Sequence, residues 1–375
     1  MIAILCFTDW MHSFWIAGGV ILFIYTLMML FVLTGVLALP ETRLIPDSPL
    51  TRFSVIIAFK DEETNLPNLL QSLKELTYPA GLFEIILVDD HSTDASAEIT
   101  RQYDFVRYIP AQGKGKKQAL STGIQAAKYE WIVTTDADCT VPPDWLRYFD
   151  SAIRQKKPKM LLGAVRLAPY KFFWSRFQQF EFLSLQAITI AGVYFKHPFL
   201  ANGANLAFEK QAFFAVNGYT GNRQIASGDD VFLLEKFQAE FPGKIFFVKN
   251  KNAIVQTLPQ PDVHSMIQQK IRWAGKTKHL HANLPKLVGI ITILSNLILI
   301  TAWFNFNYSI VLRIYILSKF ILDSSLVYSM HKIYRVPFDT GAWLLSFVLY
   351  PFYLGYLGFQ SLRRGYVWKG RVYRK

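Results

Sequence analysis

The sequence predicts an α/β domain with a mostly parallel sheet, set between apolar helices toward either end of the chain, and three observations point there. Between residues 51 and 278, short apolar runs alternate with amphipathic stretches and turn clusters, the β-α-β order that a parallel sheet requires. Residues 14–39 carry no charged side chain and exceed the roughly 20 helical residues that cross a bilayer. After residue 280 the chain turns apolar again, at 284–304, 309–330 and 342–359. A hydrophobic content of 52% over 375 residues, with mean hydropathy +0.21, exceeds what a soluble core needs, so part of the chain meets lipid.

The first apolar run is too long for the hydrophobic region of a cleaved signal peptide and lacks a basic segment before it, so it is expected to stay as a membrane helix. Next, FSVIIAF (53–59) reads as a buried strand, followed by a helix over 65–76 and a second buried strand, FEIILVDD (83–90). A helix at 95–102 leads to VRYIP, then to a lysine-rich turn and helix at 113–127, then to the strand WIVTTDAD (131–138). The tail after residue 360, SLRRGYVWKGRVYRK, is strongly basic and belongs on the cytosolic side by the positive-inside rule. With the α/β domain also cytosolic, one of the three late segments should not cross. The run holding Arg313, Lys319 and Asp323 is the weakest span, because charge within a bilayer is costly, and an interfacial position suits it. The expected organisation is an anchor (1–50), a cytosolic α/β domain (51–280), membrane segments (281–360) and a basic tail (361–375), in an integral protein of the inner or plasma membrane.

Composition excludes some functions. Forty Lys and Arg against 27 Asp and Glu give a formal charge of +13, compatible with nucleic acid, an anionic membrane face or a phosphate-bearing substrate. Cys6 and Cys139 are the two cysteines, so neither a disulfide framework nor a zinc spacing is present. GKGKKQAL (113–120) lacks the GxxxxGK[ST] pattern, which removes an ATPase P-loop. No pair of matching interrupted spans marks a transporter.

Ligands of open α/β sheets sit beyond the carboxyl ends of the strands, and three strands here end in acid: AFKDEE (58–63), VDDHSTD (88–94) and TTDADC (134–139). Asp136 and Asp138, two apart, are read as pointing to one side of a strand end and sharing a cation or a ribose-phosphate. Oxygen ligands favour Mg2+ or Mn2+, which seldom sits in an all-protein cage and so implies a diphosphate substrate. Asp90 suits a nucleobase or ribose contact, whereas Asp94 is accounted for by capping the next helix. Lys116 at a helix start suits phosphate, while Lys114 and Lys117 are equally well read as a solvated turn. Asp229 and Asp230, after Gly228, cap a helix or supply a general base for a sugar hydroxyl. Gln269, Arg272 and Trp273 fall at i, i+3 and i+4 on one helical face, where Arg272 can neutralise a leaving diphosphate and Trp273 can stack on a sugar; a helix lying on the membrane is the other reading.

In order and spacing, FSVIIAFKDEE, VDDHSTD, GKGKKQAL, TTDADC, NGANLAF, SGDD and QKIRW resemble the inverting family-2 glycosyltransferases, the group of cellulose, chitin and hyaluronan synthases and ceramide glucosyltransferase. The resemblance spans residues 53–278. It implies a GT-A fold, a UDP- or GDP-sugar donor, a divalent cation (Mg or Mn) and inversion. By position it implies Asp230 as base with Asp229 beside it, Asp90 at the nucleobase, Asp136 at the ribose and Asp138 at the metal. Ala58, Glu62 and Lys116 complete the donor side, Asp136 adjoins the metal, and Gln269, Arg272 and Trp273 serve acceptor and diphosphate. The strand tip departs from the commoner PxxNEE at Ala58 and Asp61, and Asp229 stands where Glu is usual. The partners expected are a nucleotide-sugar, a lipid or lipid-linked saccharide and the membrane, without nucleic acid. Processive polymer synthesis and non-catalytic binding of nucleotide-sugar are the alternatives.

Overall fold

The computed structural model describes residues 2–169, 172–221, 228–277, 280–304, 310–363, 366–368 and 371–373. Of the stretches singled out above, Ser227 of SGDD, Lys278, Ser309 at the start of 309–330, and Arg364, Gly365, Lys369, Gly370, Arg374 and Lys375 of the basic tail lie outside them. In chain order the elements are α1 (Ile2–Ala38), β1 (Phe53–Phe59), α2 (Leu66–Lys74), β2 (Phe83–Asp89), α3 (Ser96–Arg101), β3 (Arg107–Pro110), α4 (Lys116–Ala126), β4 (Trp131–Thr134), β5 (Cys139–Thr140), α5 (Trp145–Lys156), β6 (Met160–Gly163) and β7 (Val165–Leu167). Then follow α6 (Phe173–Tyr194), β8 (Leu206–Glu209), α7 (Lys210–Ala215), α8 (Asp229–Glu240), β9 (Ile245–Val248), β10 (Val255–Thr257), α9 (Val263–Thr277), α10 (Leu284–Phe304), α11 (Ile310–Tyr334), α12 (Thr340–Arg363) and the hairpin β11 (Tyr366–Trp368) and β12 (Arg371–Tyr373).

The chain forms two compact units. Gly35–Lys171 and Ile188–Gln260 make the sheet unit, and Met1–Thr34, Phe172–Ala187 and Pro261–Lys375 make the helical unit. The main sheet runs β3-β2-β1-β4-β8-β6-β9. Its β3, β2, β1 and β4 are mutually parallel, β8 is antiparallel to both neighbours, and β6 pairs β9 in parallel. Every residue of β1 is buried, as expected of a strand covered on both faces, which is why FSVIIAF shows no alternation. The chain winds outward from β1 to β2 and β3 on one side and to β4 on the other. The crevice beyond the ends of β1 and β4 is therefore the topological switch point, where open sheets place ligands. Strands β5, β10 and β7 form a second, small sheet.

One detail corrects the strand argument for the acid pair. Strand β4 ends at Thr134, and Asp136 to Asp138 lie in a turn closed by the Cys139 amide donating to the Asp136 carbonyl at 3.2 Å. The turn, not strand alternation, orients both carboxylates.

In the helical unit, Phe180, Leu299, Tyr315, Val327, Trp343 and Phe347 form a buried cluster that joins α6, α10, α11 and α12. Among the described residues, three helical segments are long and apolar enough to cross a membrane: Ile16–Ala38, Leu284–Phe304 and Thr340–Gln360. Helix α11 is not among them, in keeping with its charges. Arg313 is exposed, whereas two of those charges pair inside the protein: Lys319, 2% exposed, lies 2.7 Å from Asp323 and donates to the Tyr25 hydroxyl of α1 at 3.1 Å, while that hydroxyl donates to Asp323. Removing one partner of a buried pair strands the other charge, a cost of about 3–5 kcal/mol, whereas replacing both by apolar groups is close to neutral. Asp323→Ala is therefore expected to lower the thermal unfolding temperature of the detergent-solubilised protein sharply, and Lys319→Met with Asp323→Leu to recover most of the loss. Equal losses in the single and double variants would contradict this.

Candidate active site

The loops after β1 and β2 are locked together. The Asp61 amide donates to Ser92 Oγ (3.1 Å), the Glu62 amide to Ser96 Oγ (2.8 Å) and the Glu63 amide to Asp94 Oδ2 (3.0 Å). In return the amides of Thr93 and Ala95 donate to Asp61 Oδ1 (2.8 Å) and Glu63 Oε2 (3.0 Å). Asp61 and Glu63 thus brace one loop against the other, a role the sequence reading did not assign. Asp94 also accepts from the Ser96 amide at the start of α3, although the residue in the capping position is Ala95. Ala58 is buried in β1 opposite Val88, and Glu62 accepts from Asn65 Nδ2 at 2.7 Å. Asp90, 5% exposed, accepts from the Gly115 amide at 2.7 Å, which fixes the glycine-lysine loop against the end of β2.

That loop delivers Lys116 as the first residue of α4. Its ammonium lies 2.6 Å from Asp136 Oδ1 and 3.1 Å from Asp229 Oδ2, so three elements far apart in sequence converge on one cation. Lys114 is exposed, whereas Lys117 is buried over the Phe232 ring at 4.9 Å, a packing role rather than a solvated turn. Gly228 precedes α8 at φ +81°, the left-handed conformation that turns the chain so that Asp229 and Asp230 open the helix, where carboxylates suit its dipole. Asp230 Oδ1 accepts from the Val231 amide (2.8 Å) and Oδ2 from the Gly203 amide (3.3 Å). Gly203 in turn is held by Thr134 Oγ1, which donates to its carbonyl at 3.0 Å.

The electrostatics of the rim follow from this crowding. Burial opposes the charge on Lys116, yet Asp136 and Asp229 keep it protonated well above the usual lysine range. Burial, then the neighbouring charges of Asp136 and Glu62, push the Asp138 carboxyl up to about 6, against the weaker opposing effects of Cys139 and Lys116. Among the described residues no three His, Cys, Asp or Glu side chains converge as a metal cage. The donor set fits a hard cation shared with phosphate oxygens, since one or two carboxylates in an over-acidic crevice are what such an ion takes from protein. Because the folded protein holds the Asp138 proton up to about pH 6 while the unfolded chain releases it near 4, ionised Asp138 penalises the fold above pH 6, and the penalty fades as pH falls from 6 to 4. Asp138→Asn is expected to stabilise the ligand-free protein at pH 8 by on the order of 2 kcal/mol, with the gain vanishing toward pH 4. Thermal unfolding across that range tests the sign.

The carboxamide Asn205, within NGANLAF, is a hub that sequence inspection passed over: 1% exposed, it donates from Nδ2 to the carbonyls of Ala164 (2.8 Å) and Ala253 (3.0 Å) and accepts from Trp145 Nε1 (2.9 Å). Gln269, Arg272 and Trp273 lie on α9, which clusters with the helical unit rather than with the sheet unit. Within that unit Lys270, in the QKIRW stretch itself, forms a buried ion pair with Glu181 of α6 at 2.7 Å and lies over the Trp273 ring at 4.3 Å. The i, i+3, i+4 spacing picks out the face of α9 but is silent on Lys270, one residue off it.

A mixed, mostly parallel sheet with carboxylates gathered at its switch point is a GT-A-like architecture. The structure of a mannosyltransferase from Pyrobaculum calidifontis in complex with GDP-Man and Mn2+ shares the fold, at a TM-score of 0.56 and 16% identity over 92% of this chain and 96% of that one. Residues 54–218 match the model of Glycosyl transferase family 2, and the chain carries a domain of that family. A beta-monoglucosyldiacylglycerol synthase from Nostoc sp. is 29% identical over 140 residues, 34% of this chain and 29% of the relative. A poly-beta-1,6-N-acetyl-D-glucosamine synthase from Staphylococcus epidermidis is 25% identical over 230 residues, 59% of this chain and 53% of the relative. The matched stretches thus span about a third to a half of these relatives.

Proposed function

We propose that the protein is a membrane-bound, inverting glycosyltransferase that moves a hexosyl group from a UDP- or GDP-sugar to a lipid or lipid-linked saccharide, with its sheet unit in the cytosol. The convergence of Lys116, Asp136, Asp138, Asp229 and Asp230 around the β1/β4 switch point carries this reading. Asp138, with Asp136 beside it, would hold a Mg2+ or Mn2+ ion, which neutralises charge on a departing nucleoside diphosphate. Asp90 and Asp136 take the base and ribose, with Ala58 and Glu62 on the same rim. Asp230 accepts the proton of the acceptor hydroxyl as its oxygen bonds the anomeric carbon from the face opposite the phosphate; the carbon–phosphate-oxygen bond breaks and the diphosphate leaves, inverting the centre. Gln269, Arg272 and Trp273 are assigned to acceptor and leaving diphosphate. A lipid acceptor is favoured because apolar helices accompany the sheet unit and the Nostoc relative is named for a glucosyldiacylglycerol product. The Staphylococcus relative supports a second reading, processive polymer synthesis.

The test is release of nucleoside diphosphate from a panel of UDP- and GDP-sugars by detergent-purified protein with membrane lipid extract, in Mn2+, Mg2+ or EDTA. Metal-dependent release from one donor, with one labelled lipid product, is expected. A ladder of products would select the polymer reading, and nucleotide binding without release from any donor would select a non-catalytic binding protein.

A further inference from the structure

Lys116 is more tightly committed than a phosphate-binding lysine waiting for its ligand. Its ammonium is bridged by Asp136 (2.6 Å) and Asp229 (3.1 Å), with the side chains of lysine and both acids only 26%, 34% and 13% exposed. The bridge ties the turn after β4 to the first residue of α8. Its neighbours add negative charge: Asp230 acts on Lys116, and Glu62 acts on Asp138. The backbone of Gly203 closes the other side, for a side chain there would begin 3.1 Å from Asp229 Oδ2 and 3.6 Å from Lys116 Nζ.

We propose that Lys116 is the resident counter-cation of this rim, and that its ammonium and a divalent ion are alternative partners of Asp136. This deepens the metal-assisted reading above and rests on it. In the donor-free protein a divalent ion placed on Asp136 meets the Lys116 ammonium a few ångströms away. At an effective dielectric of about 20 that repulsion is strong enough to weaken the ion's affinity by more than ~10-fold. A diphosphate arriving with the ion gives Lys116 a new anion, so ion and nucleotide bind cooperatively and neither need dwell alone. When Lys116 leaves Asp229, the first turn of α8, which carries Asp230, loses its tether to β4. Exchange of the cation thus ties the disposition of the base to the presence of donor.

The test is titration of the full-length detergent-purified protein with Mn2+, read as disappearance of the free-ion paramagnetic resonance signal, without nucleotide and with UDP or GDP. Wild type is expected to bind Mn2+ weakly alone and at least ~10-fold more tightly with the matching nucleotide, Lys116→Arg to behave as wild type, and Lys116→Gln to bind Mn2+ alone about tenfold more tightly than wild type. If Lys116→Gln does not fold, Lys116→Met carries the same comparison of Mn2+ affinity without nucleotide, where phosphate oxygens take no part. Mn2+ affinity unchanged by Lys116→Gln, or by nucleotide in wild type, overturns the exchange while leaving the transferase reading intact. Failure of every variant to bind Mn2+ even with nucleotide overturns both.

Discussion

Asp230→Asn is expected to lower turnover by about 10²- to 10⁴-fold, the range that a positioned general base contributes. The substitution keeps the shape of the side chain, and the amide oxygen can still accept from the Val231 amide as Asp230 Oδ1 does at 2.8 Å. What it removes is the capacity to take a proton, together with the longer bond in which Oδ2 accepts from the Gly203 amide at 3.3 Å, which an amide nitrogen cannot accept. Since Asp230 is assigned no part in holding the donor, the loss should fall on kcat with KM for the nucleotide-sugar little altered, the pattern of an interaction made at the transition state. Asp229→Asn makes the informative comparison. Asp229 shares the Lys116 ammonium with Asp136, so its neutralisation weakens a tether between α4, α8 and the turn after β4. Donor and metal dependence should change there along with rate. Nucleoside diphosphate release measured for both variants separates the roles, and a fully active Asp230→Asn would move the base elsewhere.

The second large effect is structural. Asn205→Leu leaves two carbonyls and an indole N–H buried without partners, in a position 1% exposed. At about 1–3 kcal/mol for each orphaned group, the loss is on the order of 3–9 kcal/mol, a large fraction of the stability of a typical domain. Gly163→Ala should act through the same hub, because a Cβ at Gly163 would lie 2.2 Å from Asn205 Cγ and the carboxamide cannot move without breaking its bonds. The consequence reaches the site: Asn205 closes the short turn that begins at Asn202 and contains Gly203, whose amide contacts Asp230. Both variants are expected to lose cooperative thermal unfolding at ambient temperature or to shift it far down. A change of less than about 1 kcal/mol for Asn205→Leu would show that water replaces the three bonds.

Much of the sheet was legible in the chain. The runs at 53–59 and 83–90 and the helix beginning at Lys116 appear as β1, β2 and α4, because continuous Val, Ile, Leu and Phe runs bounded by acid or glycine have no other way to be buried. The four apolar runs all became helices, and 284–304 matches α10 at both ends. Less legible was how the acids are used. Of AFKDEE, Asp61 and Glu63 brace the neighbouring loop and Glu62 faces the rim, a division that no spacing within six residues distinguishes. Lys319 and Asp323 read as liabilities in a membrane helix, and only the packing of α11 against α1 turns them into an internal pair.

The sequence by itself determined the classes of element, the approximate ends of the strands and the set of carboxylates and cations available, since local hydrophobic pattern and residue chemistry depend on neighbours along the chain. Tertiary structure alone decided which of those charges meet. Lys116, Asp136 and Asp229 are separated by up to 113 residues and converge only because the sheet order brings the ends of β4, α4 and α8 to one crevice. The same holds for Asn205, whose three partners come from three distant segments. Charge and hydrogen bonding act over a few ångströms in space, and distance in space is what a linear order leaves unspecified.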